Sequence, residues 1–117
     1  MGKLTTHVLD ISAGVPAGGI SIELRREDAG PARLLTSVVT GPDGRCAAPL
    51  LEGEALVAGR YSLTFGVADY FRARGVALAD PPFIERAVIH VGIAAPGQHY
   101  HVPLLVSPWS YSVYRGG

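Results

Sequence analysis

Glycine and proline punctuate the whole chain, and their placement constrains the fold more than any other feature of the sequence. Fifteen glycines and nine prolines occur among the 117 residues. They separate short segments that alternate in hydrophobicity or are rich in β-branched residues. Helix interiors disfavour both residues, whereas the turns between strands use them. The pattern therefore predicts an all-β protein, a sandwich or barrel, and argues against a helical bundle.

The predicted strands are short and cover most of the chain. The segment 20–26 alternates most clearly, with Ile20, Ile22 and Leu24 on one face and polar side chains on the other. Only residues 68–74 predict a helix, and it is too short to be stable alone. Strands are predicted at 4–10, 20–26, 33–40, from Tyr61 onward, 84–93, 100–106 and 110–114. A chain of this length forms a single domain, residues 1–117.

Composition argues against several classes of partner. Ten basic and ten acidic residues give a net charge of +0, whereas proteins that neutralise phosphates usually carry a basic excess, so no nucleic-acid partner is expected. The longest apolar stretches are far shorter than the ~20 residues of a membrane helix, so no membrane partner is expected. The single cysteine, Cys46, and the absence of a visible signal peptide predict a cytoplasmic protein.

Three predicted strands carry an unusual mixture of side chains on one face. His7 shares its face with Leu9, His101 shares its face with Leu105, and Ser112 lies on the same face as Tyr114. A face that is neither polar nor apolar suits a ligand site or a subunit interface, and composition does not separate the two. His99 and His101 also share a face and allow a metal site, although no further ligand follows at a diagnostic spacing.

Arg45 and Cys46 follow a strong turn signal, Pro42-Asp43-Gly44. An arginine beside a cleft offers a fork of donors to a planar anionic ligand. Cys46 lacks a recognisable cationic environment, so we interpret it as a packing residue and not as a nucleophile.

Four groups of segments, in order along the chain, resemble a known family. They are residues 4–10 (LTTHVLD) with 14–17 (GVPA), 42–45 (PDGR) with 49–51 (PLL), 59–61 (GRY) with 69–75 (DYFRARG), and 99–108 (HYHVPLLVSP) with 111–116 (YSVYRG). Together they resemble the 5-hydroxyisourate hydrolases, the transthyretin-related proteins. The C-terminal group is the most specific of the four.

The resemblance implies an enzyme of purine catabolism that hydrolyses 5-hydroxyisourate to 2-oxo-4-hydroxy-4-carboxy-5-ureidoimidazoline. It implies a transthyretin-like β-sandwich of two four-stranded sheets with one short α-helix. It also implies a homotetramer with active sites between dimers, and neither a metal nor an organic cofactor.

The same resemblance places the catalytic residues at His7, Arg45, His101 and Tyr114. Substrate contacts are expected from these four and from Ser112, Arg115 and Gly116. The two histidines would activate water or protonate the leaving nitrogen, with the division between them left open, and Arg45 would stabilise developing charge. Tyr114 would form the floor of the pocket and donate a hydrogen bond. One departure stands at the end of the chain, where Gly117 replaces the family's usual serine.

Three alternatives remain at the level of sequence. The first is a transthyretin-like carrier of small molecules without catalysis. The second is a metal-dependent hydrolase built on His99 and His101. The third is an interaction domain in which the mixed faces are only an interface.

Overall fold

The computed structural model describes all 117 residues as a sandwich of two β-sheets with one short helix. The first sheet contains β1 (Lys3–Asp10), β2 (Val15–Pro16), β5 (Leu51–Glu52), β8 (His99–Val106) and β9 (Tyr111–Val113). The second sheet contains β3 (Ser21–Arg26), β4 (Arg33–Val39), β6 (Gly59–Phe65) and β7 (Ala87–Ile93). The predicted all-β sandwich is confirmed.

The first sheet has five strands and not the expected four. Its central order is β2-β1-β8-β9, and β5 also pairs with β1. The two-residue strands β2 and β5 pair with opposite ends of the same edge of β1: Leu9 lies opposite Pro16, and Leu4 lies opposite Leu51. Together they satisfy part of an edge that would otherwise present unpaired backbone groups. Strands of two residues carry no periodicity that the sequence could reveal.

The second sheet has the order β4-β3-β6-β7 and is antiparallel throughout. The strand predicted at 84–93 begins only at Ala87. Its partner β6 ends at Phe65, which lies opposite Ala87, so earlier residues have no strand to pair with. The carbonyl of Glu85 instead accepts a hydrogen bond from the amide of Ala68 at the start of the helix, over 3.1 Å.

The hydrophobic core fills the space between the two sheets. The alternation of β3 is as predicted, because Ile20, Ile22 and Leu24 are fully buried. Tyr61, Leu63 and Phe65 of β6 are also buried in this core. Burial of a large apolar side chain contributes roughly 1.5–3 kcal/mol, so this layer accounts for much of the folding free energy.

The helix α1 (Val67–Ala73) lies close to the predicted 68–74 and follows β6 directly. It buries Val67, Ala68, Tyr70 and Phe71. The hydroxyl of Tyr70 donates a 2.9 Å hydrogen bond to Oδ2 of Asp10 at the end of β1. This bond ties the helix to the strand that carries His7. No helix in the structure has the length and apolar character needed to cross a membrane.

Candidate active site

The predicted mixed face exists, and it is the outer face of the first sheet. The strands β1 and β8 are parallel neighbours, although they come from opposite ends of the chain. Thr5 lies opposite His101, and His7 lies opposite Pro103 two residues further along. The inward-facing residues Leu4 and Val8 are fully buried, so Thr5 and His7 face outward. The fold therefore places two imidazoles, 94 residues apart in sequence, at diagonal positions on one face.

Arg45 reaches the same face from the predicted turn. The turn forms as expected, with the amide of Gly44 donating to the carbonyl of Gly41 over 2.9 Å. The amide of Val8 then donates to the carbonyl of Gly44 over 2.9 Å, and an antiparallel bridge pairs His7 with Arg45. Backbone contacts with β1 thus determine the position of Arg45.

Glycine is required at position 44. Its φ of +75° lies in the left-handed region, and a Cβ there would meet the carbonyl oxygen of Val8. The backbone conformation and the clash with Val8 each disfavour a side chain at position 44. The close approach of the turn to β1, and hence of Arg45 to His7, depends on this residue.

The ring of His7 is held by a backbone group. Its Nε2 lies 2.8 Å from the carbonyl oxygen of Asp43. A carbonyl only accepts hydrogen bonds, so Nε2 carries the hydrogen in this contact and Nδ1 is the acceptor of the neutral ring. The carboxylate of Asp43 accepts from the amide of Arg45 over 3.0 Å. One turn therefore orients both His7 and Arg45.

His101 stays in its neutral form more readily than an ordinary histidine. Burial lowers its pKa, and the positive charges of Arg45 and of protonated His7 lower the pKa in the same direction. A neutral imidazole at pH 7 can accept a proton from a bound water. The electrostatics of this face thus favour His101 as a base.

The C-terminal tail returns to His101 after β9 ends. The amide of Gly116 donates a 2.7 Å hydrogen bond to the carbonyl of His101, and the two residues form an isolated bridge. A Cβ on Gly116 would stand only 2.7 Å from Cδ2 of the His101 ring. The absence of a side chain at position 116 is what lets the tail lie against the ring.

Arg115 anchors the tail and points away from the imidazoles. Its guanidinium lies over the ring of Tyr100, 4.2 Å from the centroid. It also donates to Oε1 of Gln98 and to the carbonyl of His99, each over 3.1 Å. Contacts of this kind favour a structural role for the Arg115 side chain, while the neighbouring Gly116 reaches the candidate site.

Ser112 and Tyr114 lie farther from the centre of the site. Ser112 is paired with Leu105 on the outer face, two strands away from His7. Tyr114 is exposed and borders a cavity of about 390 Å³ between the edges of β7 and β9. That cavity is mostly apolar and contains neither His7 nor His101. The structure therefore brings together His7, Arg45, His101 and Gly116, and leaves Tyr114 at the rim of a separate opening.

Cys46 and His99 take no part in the contacts among His7, Arg45 and His101 described above. Cys46 is half-buried against the core, and burial raises the pKa of its thiol, which fits the packing role. His99 is exposed and lies opposite Lys3. No group of three or more histidine, cysteine, aspartate or glutamate side chains stands close enough to hold a metal ion, so the fold supplies no third ligand to His99 and His101.

Sequence reasoning missed two partners of the site residues. One is Thr5, whose Oγ1 lies 2.8 Å from Nδ1 of His101. The other is the carbonyl of Asp43, which holds His7. The position of Thr5 two residues before His7 indicates a shared face, but its contact with His101 depends on the parallel pairing of β1 with β8.

The chain is similar in sequence to proteins of a known family. The sequence model of the HIUase/Transthyretin family matches residues 4–116. A protein of Ralstonia nicotianae described as 5-hydroxyisourate hydrolase is 56 % identical over 116 residues, which cover 99 % of both chains.

Two solved structures are similar in fold and in sequence. (S)-Allantoin synthase superposes with a TM-score of 0.94 at 43 % identity; the match covers 99 % of this chain and 44 % of that longer chain. The 5-hydroxyisourate hydrolase of Klebsiella pneumoniae superposes with a TM-score of 0.82 at 37 % identity, over the full length of both chains. The resemblance seen in the sequence is thereby confirmed, and the chain belongs to the HIUase/Transthyretin family.

Proposed function

We propose that this chain hydrolyses 5-hydroxyisourate to 2-oxo-4-hydroxy-4-carboxy-5-ureidoimidazoline. The observation that carries the proposal is the convergence of His7, Arg45 and His101 on one sheet face, with Gly116 of the tail packed against His101. A protein that only carries a ligand does not need two imidazoles and a guanidinium in one cluster. The relatives described as 5-hydroxyisourate hydrolases add support, because their likeness extends over the whole chain.

The geometry suits hydrolysis of a cyclic amide. Water attacks a ring carbonyl, a new C–O bond forms, and the C–N bond of the ring breaks. An imidazole accepts the proton of the water, and the leaving nitrogen takes up a proton. A positioned group of this kind contributes about 10²–10⁴-fold to the rate. Arg45 stabilises the negative charge that develops on the carbonyl oxygen. No step calls for a metal or an organic cofactor.

We assign His7, Arg45, His101 and Tyr114 to catalysis, and add Ser112, Arg115 and Gly116 as binding residues. The guanidinium of Arg115 lies over the ring of Tyr100. This contact holds the C-terminal tail in position, so Arg115 contributes to binding indirectly. Tyr114 is exposed and borders the separate cavity beside β7 and β9, so its proposed contact with the substrate depends on the interface between copies described next.

We also propose a homotetramer with the active site at an interface between dimers. The imidazoles lie on an open sheet face and not in a cleft, so the single chain offers few walls to enclose a substrate. Large apolar side chains such as Trp109, Tyr111 and Val113 are exposed around β9, which is typical of a surface that another copy covers. A cytoplasmic location completes the proposal, since an unpaired cysteine suits a reducing compartment.

The first experiment follows the ultraviolet absorbance of freshly generated 5-hydroxyisourate with and without the protein. The substrate decays unaided, so the measured quantity is the acceleration above that blank. We expect strong acceleration that persists with a chelator. Absence of acceleration would refute the hydrolase and favour the carrier, and loss of acceleration with the chelator would favour a metal site.

Variants then test the assignment of residues. His7→Ala, Arg45→Ala and His101→Ala are each expected to reduce turnover at least ~10²-fold, because each removes a proton-transfer group or an oxyanion donor. Thermal unfolding checks that each variant is folded. Near-normal turnover in a folded variant would remove that residue from the set, and sedimentation showing an active monomer would disprove the shared site.

A further inference from the structure

One hydrogen bond joins two side chains within the candidate active site. Oγ1 of Thr5 lies 2.8 Å from Nδ1 of His101. The two residues are direct partners in the parallel ladder of β1 and β8, so the backbone pairing itself sets their separation. Both side chains are half-buried on the outer face.

The ring of His101 is fixed from two sides. Thr5 contacts it at Nδ1, and Gly116 lies against it at Cδ2, where a Cβ would come within 2.7 Å. The remaining nitrogen, Nε2, makes no hydrogen bond within the chain. It is therefore the atom of His101 that is free to meet water or substrate.

We propose that Thr5 is the positioning residue of this site: its hydroxyl oxygen accepts the Nδ1–H of His101, so that Nε2 presents its lone pair as the general base. The inference rests on the proposed hydrolase function and assigns the division of labour within it. The proton leaves the attacking water for Nε2 of His101, and Nδ1–H keeps its acceptor in the imidazolium that results. A partner that accepts Nδ1–H stabilises both the reactive tautomer and the charged ring.

The hydroxyl of Thr5 has room for its own proton in this arrangement. Thr5 lines a cavity of about 150 Å³ together with Arg45, Cys46 and Pro49. A water or a polar substrate atom in that cavity can accept the Thr5 hydroxyl hydrogen. The hydroxyl is thus satisfied while its oxygen accepts from His101.

His7 is held in a different way, which separates the two histidines. Its Nε2–H donates to the carbonyl of Asp43, and a carbonyl cannot reverse the direction of that bond. His7 is consequently fixed through Nε2, and His101 through Nδ1. Only the partner of His101 is a side chain, so only the orientation of His101 can be tested by removing that partner.

The test compares Thr5→Val with Thr5→Ser and with Thr6→Val as a matched control. Valine keeps the branched shape of threonine and removes the hydroxyl. Thr6 is the next residue of the same strand, and its hydroxyl donates to the carbonyl of Val102 inside the core over 2.7 Å. Thr6→Val therefore removes an equivalent hydrogen bond without touching His101, and thermal unfolding checks the fold of each variant.

Two readouts decide the outcome. The tautomer of His101 is read in the substrate-free protein from the ¹⁵N shifts of its ring. We expect Nδ1–H in the wild type and in Thr6→Val, and a shift towards Nε2–H in Thr5→Val. In the 5-hydroxyisourate assay we expect Thr5→Val to lower kcat about tenfold with KM within about twofold, and Thr5→Ser to restore it.

An Nε2–H tautomer in the wild type, or an unchanged kcat in folded Thr5→Val, would overturn the inference. Failure of Thr5→Ser to restore kcat would do the same. Wild-type protein that fails to accelerate 5-hydroxyisourate decay refutes the proposed function instead, and the ring shifts still report separately whether Thr5 holds Nδ1–H. The two ideas can therefore fail independently.

Discussion

The tight packing of Gly116 against the His101 ring leads to a sharp prediction for Gly116→Ala. The added Cβ would lie 2.7 Å from Cδ2 of the His101 ring and 3.4 Å from its Cβ and Cγ. Carbon atoms in ordinary contact are ~3.5–4.0 Å apart, so the ring or the tail must move by about 1 Å. The φ of Gly116 does not demand glycine, and the clash is therefore the main perturbation.

A displacement of that size is large for a catalytic group. Misplacement of a reacting group by ~1 Å can cost about 10²-fold in rate. We expect Gly116→Ala to lower kcat/KM for 5-hydroxyisourate by about 10–10²-fold, because either the imidazole leaves its position or the tail detaches. The melting temperature is expected to change little, since position 116 lies outside the buried core.

The assay is initial-rate decay of freshly generated 5-hydroxyisourate, corrected for the spontaneous reaction, with thermal unfolding in parallel. Gly117→Ala is the matched control, because nothing lies within 4 Å of a Cβ at that neighbouring position. We expect the control to retain wild-type kcat/KM within about twofold. Gly116→Ala with wild-type activity would refute the reasoning, since it would mean that the contact between tail and imidazole has no catalytic consequence.

Two further predictions concern stability and the support of the site. Asp10 is buried; burial would raise its pKa, but hydrogen bonds from Ser12, Ala13 and Tyr70 outweigh this and lower it. Ionised Asp10 therefore stabilises the folded state above about pH 4. This stabilisation is lost as the pH falls through the lowered pKa that Asp10 has in the folded state. Asp10→Asn should reduce the free energy of unfolding by ~1–3 kcal/mol at pH 7 and by less in acid, and equal losses at both pH values in urea titrations would contradict this. Gly44→Ala should cost at least ~1–2 kcal/mol because of its positive φ, and should also lower kcat/KM by displacing Arg45; an unchanged urea midpoint would contradict it.

The sequence predicts the long strands and the tight turn better than it predicts the shortest strands. The alternation of β3 and the turn at Pro42-Asp43-Gly44 are local signals, and both appear in the structure where they are expected. The strands β2 and β5 are two residues long and depend on β1 for their existence, so no local pattern predicts them. The late start of β7 at Ala87 likewise follows from the end of its partner β6.

The candidate site shows the same division between local and long-range information. Period-two alternation assigns His7 and His101 to mixed faces, but it does not reveal that the two faces are one. His7 and His101 share one face only because β1 and β8 pair in parallel. For the same reason the sequence indicates Thr5 only as a neighbour of His7, whereas the structure pairs it with His101.

The tail is held in place without a side chain at position 117. Its position depends on the amide of Gly116, which bonds to the carbonyl of His101, and on Arg115, which lies over Tyr100. Neither contact involves a side chain at residue 117, and the space around that residue is open. The serine that the resemblance leads us to expect at position 117 is therefore not needed to hold the tail against the imidazole. If the serine hydroxyl contacts the substrate directly, its loss weakens substrate binding. The expected effect is a higher KM with His101 still in its place.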